Sequence, residues 1–274
     1  MRAFSVALLG SAVLMGCGSS DDDSDKPTEP LPDEQLVATI RCSNVSIDQA
    51  DKICSTNRGV AWGHLDENQV CYGAYCFEDH SPAPQSPGLT RFPEGHLIPV
   101  YMHKEVDPRF VRAMDRAEAI VGYPMFERHG VIELEIGNVF EIDYSGLPSD
   151  WGFIWSQGTT PPDCSSGTVS RYPNSISVTS YLANRNQGLV RNEPGIFTWI
   201  NIDGDEQKAG EGCTVIASDD VTLHELGHAL GMLNHFPGFG VGPAFDANAE
   251  RVLRTMYHGQ NPEGQPFDAL YLPK

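Results

Sequence analysis

Basic residues are scarce in this chain of 274 residues, with 18 lysines and arginines against 37 acids and a formal net charge of −19. So acidic a surface repels phosphate backbones and anionic headgroups, which excludes nucleic acid and an electrostatically held membrane as partners. Long apolar runs are missing as well. The run from Ala3 to Met15 is shorter than the roughly 20 residues a membrane-crossing helix requires. There is no internal repeat, so solenoids and propellers fall away. What is present is a 40% hydrophobic composition over a good length, enough for one sizeable domain plus appendages.

The stretch with the clearest chemistry is Asp219 to His235. His224 and His228 stand four apart, which on a helix stacks both rings on one face, one turn apart. Two imidazoles so placed can share one Zn²⁺. Glu225, beside the first histidine, is positioned to take a proton from water activated by the metal. The flanks read as a true helix. Ser218 or Asp219 caps it, acids fill its first turn, and Leu223, Leu226, Leu230 and Leu233 form an apolar stripe. Gly231 can adopt positive φ and end the helix. A chain turning there can bring back a third ligand, for which His235 is the best candidate.

The run His224-Glu225-Leu226-Gly227-His228-Ala229-Leu230-Gly231 resembles the zinc helix of the metzincin peptidases, nearest in wording to matrixins. In those families a third histidine follows after two further residues. Here that position is Asn234 and the histidine comes one residue later. Imidazole is the commoner zinc ligand, so the expected third ligand is His235 on a longer turn, with Asn234 the alternative. The resemblance also implies a tight turn with methionine beneath the metal, and Thr255-Met256-Tyr257 matches it in type. It further implies an α+β, zincin-like fold: a twisted, mostly parallel sheet, a long helix and the active-site helix.

The N-terminus reads as a targeting segment, with Arg2 ahead of the short apolar run. Its end, Leu14-Met15-Gly16-Cys17, resembles the lipobox of bacterial lipoproteins. That implies cleavage of residues 1–16, lipid on Cys17 as a stable anchor and, with Gly18 next, sorting to the outer membrane. Losing Arg2 takes the formal charge to −20. Residues 17–36 are polar, acidic and proline-bearing, and read as a disordered tether. Residues 37–87 hold Cys42, Cys54, Cys71 and Cys76, then a Ser/Pro linker. A strand over Leu36–Ile40 and a small disulfide-stapled module are expected. This module could be a removable propeptide, a substrate-recognition piece or a brace on the catalytic unit. With Cys164 and Cys213 the six remaining cysteines allow 15 pairings, and proximity suggests Cys42–Cys54, Cys71–Cys76 and Cys164–Cys213. A cysteine that blocks zinc in a latent form is the rival, but the matrixin propeptide motif is not visible.

The catalytic unit is assigned to residues 88–274. Leu97–His103 reads as a strand, with Pro99 marking an edge or a strand start. Asp107-Pro108 open a helix that carries Phe110, Val111, Met114, Ala117, Ile120 and Val121, and Gly122 closes it. Further strands are expected at Val131–Ile136, Phe153–Trp155, Ser175–Leu182 and Ile196–Ile202. The last is apolar on both faces and so is expected to be central. Phe245–Leu253 suggests a short helix. Asn201 to Glu206 clusters acids around a glycine and could hold Ca²⁺, although a solvated acidic turn is the simpler reading.

The expected function is zinc-dependent hydrolysis of peptide bonds in a protein substrate at the bacterial cell envelope. His224, His228 and His235 hold the metal, Glu225 is the general base, and Tyr257 or His258 could stabilise the oxyanion. One alternative is a thermolysin-like subclass with Glu250 as third ligand. Another is a lipid-anchored binding or adhesion protein on a peptidase-like scaffold.

Overall fold

A computed structural model describes residues 28–44, 54–58, 69–72, 75–79, 88–135, 142–157, 196–202, 217–232 and 235–274. Among these, a four-stranded sheet is built from β4 (Ile98–His103), β5 (Phe126–Ile132), β6 (Trp151–Gln157) and β7 (Ile196–Ile202). The order is β5-β4-β6-β7 and every pairing is parallel. The expected α+β mix with a mostly parallel sheet is present. Alternation decides what each face buries. Val100, Met102, Phe153, Trp155, Ile200 and Ile202 enter the main core, while Tyr101, Ile154, Phe197 and Trp199 form a smaller, mostly aromatic cluster.

Two expectations about strand position change. Ile196–Ile202 does form a strand, but β7 ends the order of the described sheet. Its double-sided apolarity reflects cover on both faces rather than a central place. Conversely, β4 is interior despite Pro99, which sits at its second residue and so satisfies the strand-start reading. Gly152 accommodates this: a Cβ there would lie 2.4 Å from the Pro99 carbonyl oxygen. The strand expected over Val131–Ile136 starts earlier, at Phe126, and ends at Ile132. Glu127, Arg128 and His129 give β5 the charged character of an edge strand, which hides it from apolar alternation. Ser175–Leu182 lies outside the described residues.

Helix α2 (Pro108–Val121) forms as expected. The Asp107 carboxylate accepts from the Arg109 backbone N–H at 2.8 Å, and Gly122 ends the helix at φ 87°. Its buried Phe110, Ala113, Met114, Ala117 and Ile120 join the main core. Helix α3 (Asp219–Ala229) packs against α2, as does α4 (Ala247–Met256). A 3-10 turn at Phe267–Ala269 follows near the C-terminus.

The N-terminal segment departs furthest from expectation. The end of the supposed tether is built into the fold, and Leu36–Ile40 is helical within α1 (Asp33–Ser43). Leu31, Leu36 and Ile40 are fully buried in the main core. The β-branched residues suggest a strand, but Leu36 and Ile40 lie one helical turn apart and pack as such, so tertiary burial overrides local propensity. Polar contacts fix the entry. The Leu31 N–H donates to Asn248 Oδ1 at 3.0 Å, the Thr28 hydroxyl donates to Asp246 Oδ2 at 2.6 Å, and Arg251 donates to the Leu31 carbonyl and to Asp33. Between this segment and Gly88 in the sequence, β1 (Cys54–Arg58), β2 (Gln69–Tyr72) and β3 (Tyr75–Asp79) form an antiparallel sheet of order β1-β3-β2. Its register sets the backbone of Cys71 opposite Cys76, whereas Cys54 faces Asp79. Cys17, Cys164 and Cys213 lie outside the described residues. No described helix is long and apolar enough to cross a membrane.

Candidate metal centre

Helix α3 begins where the sequence places its start. The Ser218 hydroxyl accepts from the Val221 N–H at 3.2 Å. Arginines one and two turns apart on α2 hold this end from outside. Arg109 donates to the Ala217 carbonyl at 2.8 Å, Arg112 pairs with Asp219 at 2.7 Å, and Arg116 pairs with Asp220 at 2.6 Å. The helix then carries His224 and His228 with ring centroids 4.5 Å apart.

At the other end Gly231 adopts φ 105°. A Cβ there would stand 3.0 Å from Asn44 Nδ2 and 3.1 Å from the Thr90 carbonyl oxygen, so conformation and space both require glycine. The reversal returns His235 to the helix. Its Nε2 lies 3.1 Å from His224 Nε2 and 3.2 Å from His228 Nε2. Three ligand atoms therefore converge on one point, and the third belongs to His235. Asn234 lies outside the described residues.

Hydrogen bonding at the far side of the two helical rings orients them toward the third. His224 Nδ1 lies 2.9 Å from the Ala244 carbonyl oxygen, and His228 Nδ1 lies 2.6 Å from that of Met232. A carbonyl only accepts, so each Nδ1 carries the proton, which in a neutral imidazole leaves the lone pair on the inward-facing Nε2. One proton on His235 Nε2 cannot lie on both short N···N lines. A cation can satisfy all three lone pairs. Nitrogens bound tetrahedrally at about 2.0–2.1 Å stand roughly 3.3 Å apart, close to the observed spacings. The group could thus hold a metal ion, and imidazoles fixed by carbonyls are a transition-metal donor set. Burial, then the neighbouring His228 and His235, holds His224 well below the ordinary imidazole pKa, against a smaller opposing effect of the Ala244 carbonyl. It stays neutral and able to ligate.

Glu225 Oε1 lies 3.8 Å from His224 Nε2, and its side chain is only 12% exposed. This is too long for a hydrogen bond but places the carboxylate beside the metal-facing nitrogen of His224. Glu250 does not reach them. It sits in the first turn of α4 and accepts from Arg116 at 2.9 Å. Among the described residues the metal-competent group is His224, His228 and His235, and Glu250 is not among them.

Met256 is buried but is the last residue of a helix rather than part of an open turn, and its methyl lies beside Gly231. Tyr257 is also buried. Its hydroxyl donates to the Leu230 carbonyl at 2.9 Å and accepts from the Phe92 N–H at 3.3 Å. That proton is committed to the end of α3, which removes Tyr257 as an oxyanion donor. His258 Nδ1 accepts from the Gln260 N–H and its ring lies on Tyr271, a place on the C-terminal turn. Asn201 Oδ1 accepts from the Ser156 hydroxyl at 3.0 Å, while Asp203 to Glu206 of the suggested calcium turn lie outside the described residues.

Two contributors carry no sequence signal. Asn44 uses its whole amide: it accepts from the Thr90 N–H at 2.6 Å and donates to the Thr90 and Gly231 carbonyls, both at 2.8 Å. Buried Arg91 donates to the carbonyls of Met256, His258 and Asn261, and its guanidinium lies 4.9 Å over the Tyr257 ring. Neither residue stands in a pattern, because each acts on chain far away in sequence. Comparison with protein-family models, curated proteins and solved structures found no match.

Proposed function

We propose that this chain is a zinc-dependent endopeptidase of the metzincin type, held at the bacterial envelope by lipid on Cys17. The observation that carries the reading is the convergence of three imidazoles, with His235 Nε2 within hydrogen-bond distance of both His224 Nε2 and His228 Nε2 and the Glu225 carboxylate 3.8 Å from His224 Nε2. His224, His228 and His235 would hold Zn²⁺, which when bound would supply Lewis-acid chemistry for activating water and polarising a carbonyl. The chain's own residues supply the rest. The Ala244 and Met232 carbonyls lock the tautomers of His224 and His228. The Glu225 carboxylate accepts a proton as water oxygen bonds to the peptide carbonyl carbon. The same carboxyl then gives that proton to the amine nitrogen as the C–N bond breaks. Exclusion of solvent from Glu225 strengthens its coupling to the reacting water.

Glu225→Ala is expected to retain one equivalent of zinc and lose roughly 10²–10⁴-fold in chelator-sensitive casein hydrolysis. Wild-type rates in that variant would remove Glu225 from the reaction. A processed, zinc-loaded wild-type protein without hydrolytic activity would favour the reading as an envelope-anchored binding protein.

A further inference from the structure

We propose that Phe239 is the seat of the three imidazoles, a positioning residue in the place that the family resemblance gives to Met256. This rests on the triad holding a metal ion. The Phe239 ring is fully buried, and its centroid lies 4.1 Å from that of His224, 4.9 Å from His228 and 6.0 Å from His235. It therefore touches every ring of the group, tilted on one and edge-on to two, in the range where aromatic pairs attract.

Two glycines make this contact possible. Gly227 lies on α3 between the two helical histidines, where glycine costs roughly 1 kcal/mol relative to alanine. A Cβ there would stand 2.8 Å from Phe239 Cε2 and 3.2 Å from Cζ. Gly240 follows Phe239 at φ 75°, and its Cβ would stand 2.8 Å from His224 Cε1 and 2.8 Å from His235 Cδ2 and Cγ. One glycine thus clears a side chain from the aromatic ring and the other clears one from two of the imidazoles, so that the rings can close up.

The ring is itself held. Phe239 N–H donates to the Phe236 carbonyl at 2.7 Å and Phe236 N–H donates back to that of Phe239 at 3.0 Å. Phe239 also stacks on Phe236 at 5.1 Å and meets Phe245 edge-on at 6.0 Å. This turn begins directly after His235. One short segment therefore delivers the third ligand and the surface on which all three ligands rest. A rigid apolar wall on one side keeps water off the rings and fixes their approach.

The test uses the full chain as wild type, Phe239→Leu, Met256→Leu, Gly227→Ala and the double variant Gly227→Ala/Phe239→Leu. Co²⁺ affinity is measured by competition with a chromophoric chelator, the visible Co²⁺ spectrum reports ligand geometry, and thermal melting reports folding. Phe239→Leu is expected to weaken Co²⁺ binding roughly 10–100-fold and to shift the spectrum, with Met256→Leu giving a smaller loss. Gly227→Ala should weaken binding by driving a methyl into the ring, and shortening Phe239 in the double variant should recover part of it. Wild-type affinity and spectrum in Phe239→Leu, even with lowered melting temperature, would make Phe239 ordinary core and overturn the proposal. A larger loss in Met256→Leu would return the role to the methionine. Wild type that binds no stoichiometric Co²⁺ would overturn the metal reading, and this assignment with it.

Discussion

The two ends of helix α3 are held by opposite means. At the N-terminal end Arg112 and Arg116 meet Asp219 and Asp220, and all four side chains are 39–55% exposed. At the C-terminal end the Leu230 carbonyl accepts from Tyr257 and the Gly231 carbonyl from Asn44, with every partner buried. Exposed ion pairs contribute little, because solvent screens them and ordering long side chains opposes them. A buried hydrogen bond also nets little, but losing one partner strands the other without water. The helix is therefore fixed by buried partners where it must release His235 at a defined point, whereas at its start the exposed ion pairs add little to the Ser218 cap and the Arg109 bond to the Ala217 carbonyl.

Breaking the buried end should have the largest effect. Asn44→Ala strands the Thr90 N–H and the Thr90 and Gly231 carbonyls, at a cost of about 3 kcal/mol. Denaturant unfolding is expected to show it, together with weaker metal binding through a displaced His235. Unchanged metal affinity would uncouple the Gly231 turn from the ligand. Tyr257→Phe loses the bond to Leu230 and should cost about 1–2 kcal/mol by the same measurement.

Acid sharpens the comparison from the ligand side. His224 is held neutral in the fold by burial and then by its histidine neighbours, below its ordinary value of 6.5. The unfolded chain binds that proton first. Its contribution to stability is present above about pH 6.5 and is lost as pH falls towards the lowered folded value. The urea midpoint of chelated protein should drop between about pH 7.5 and about pH 5.5. A flat midpoint across that window would mean that His224 is not kept neutral by the fold. The smallest effect belongs to the exposed end. Arg112→Ala should leave the melting temperature nearly unchanged at about 0.15 M salt and matter only at low ionic strength. A drop as large as that of Asn44→Ala would erase the contrast.

The same division separates what could be read in the sequence from what could not. The Ser218 cap, the acids of the first turn, the four-residue histidine spacing and the terminating Gly231 are local features, and each keeps its place. Helix α2 was legible for the same reason, from Asp107 to Gly122. Residues 28–40 mislead because composition and β-branching describe a segment alone, whereas Leu31, Leu36 and Ile40 are decided by burial against chain some 200 residues away. Strand β5 was shifted because its polar start at an edge carries no apolar alternation.

By itself the sequence determined the helix, its two histidines and the acid between them, since hydrogen-bond period and side-chain chemistry follow from neighbours within a turn or two. Only the tertiary structure decided that His235 closes the group, that Glu250 faces Arg116 instead, and that Asn44, Arg91 and Phe239 hold the arrangement. Those outcomes depend on which distant surfaces exclude water together, and no local pattern encodes that choice.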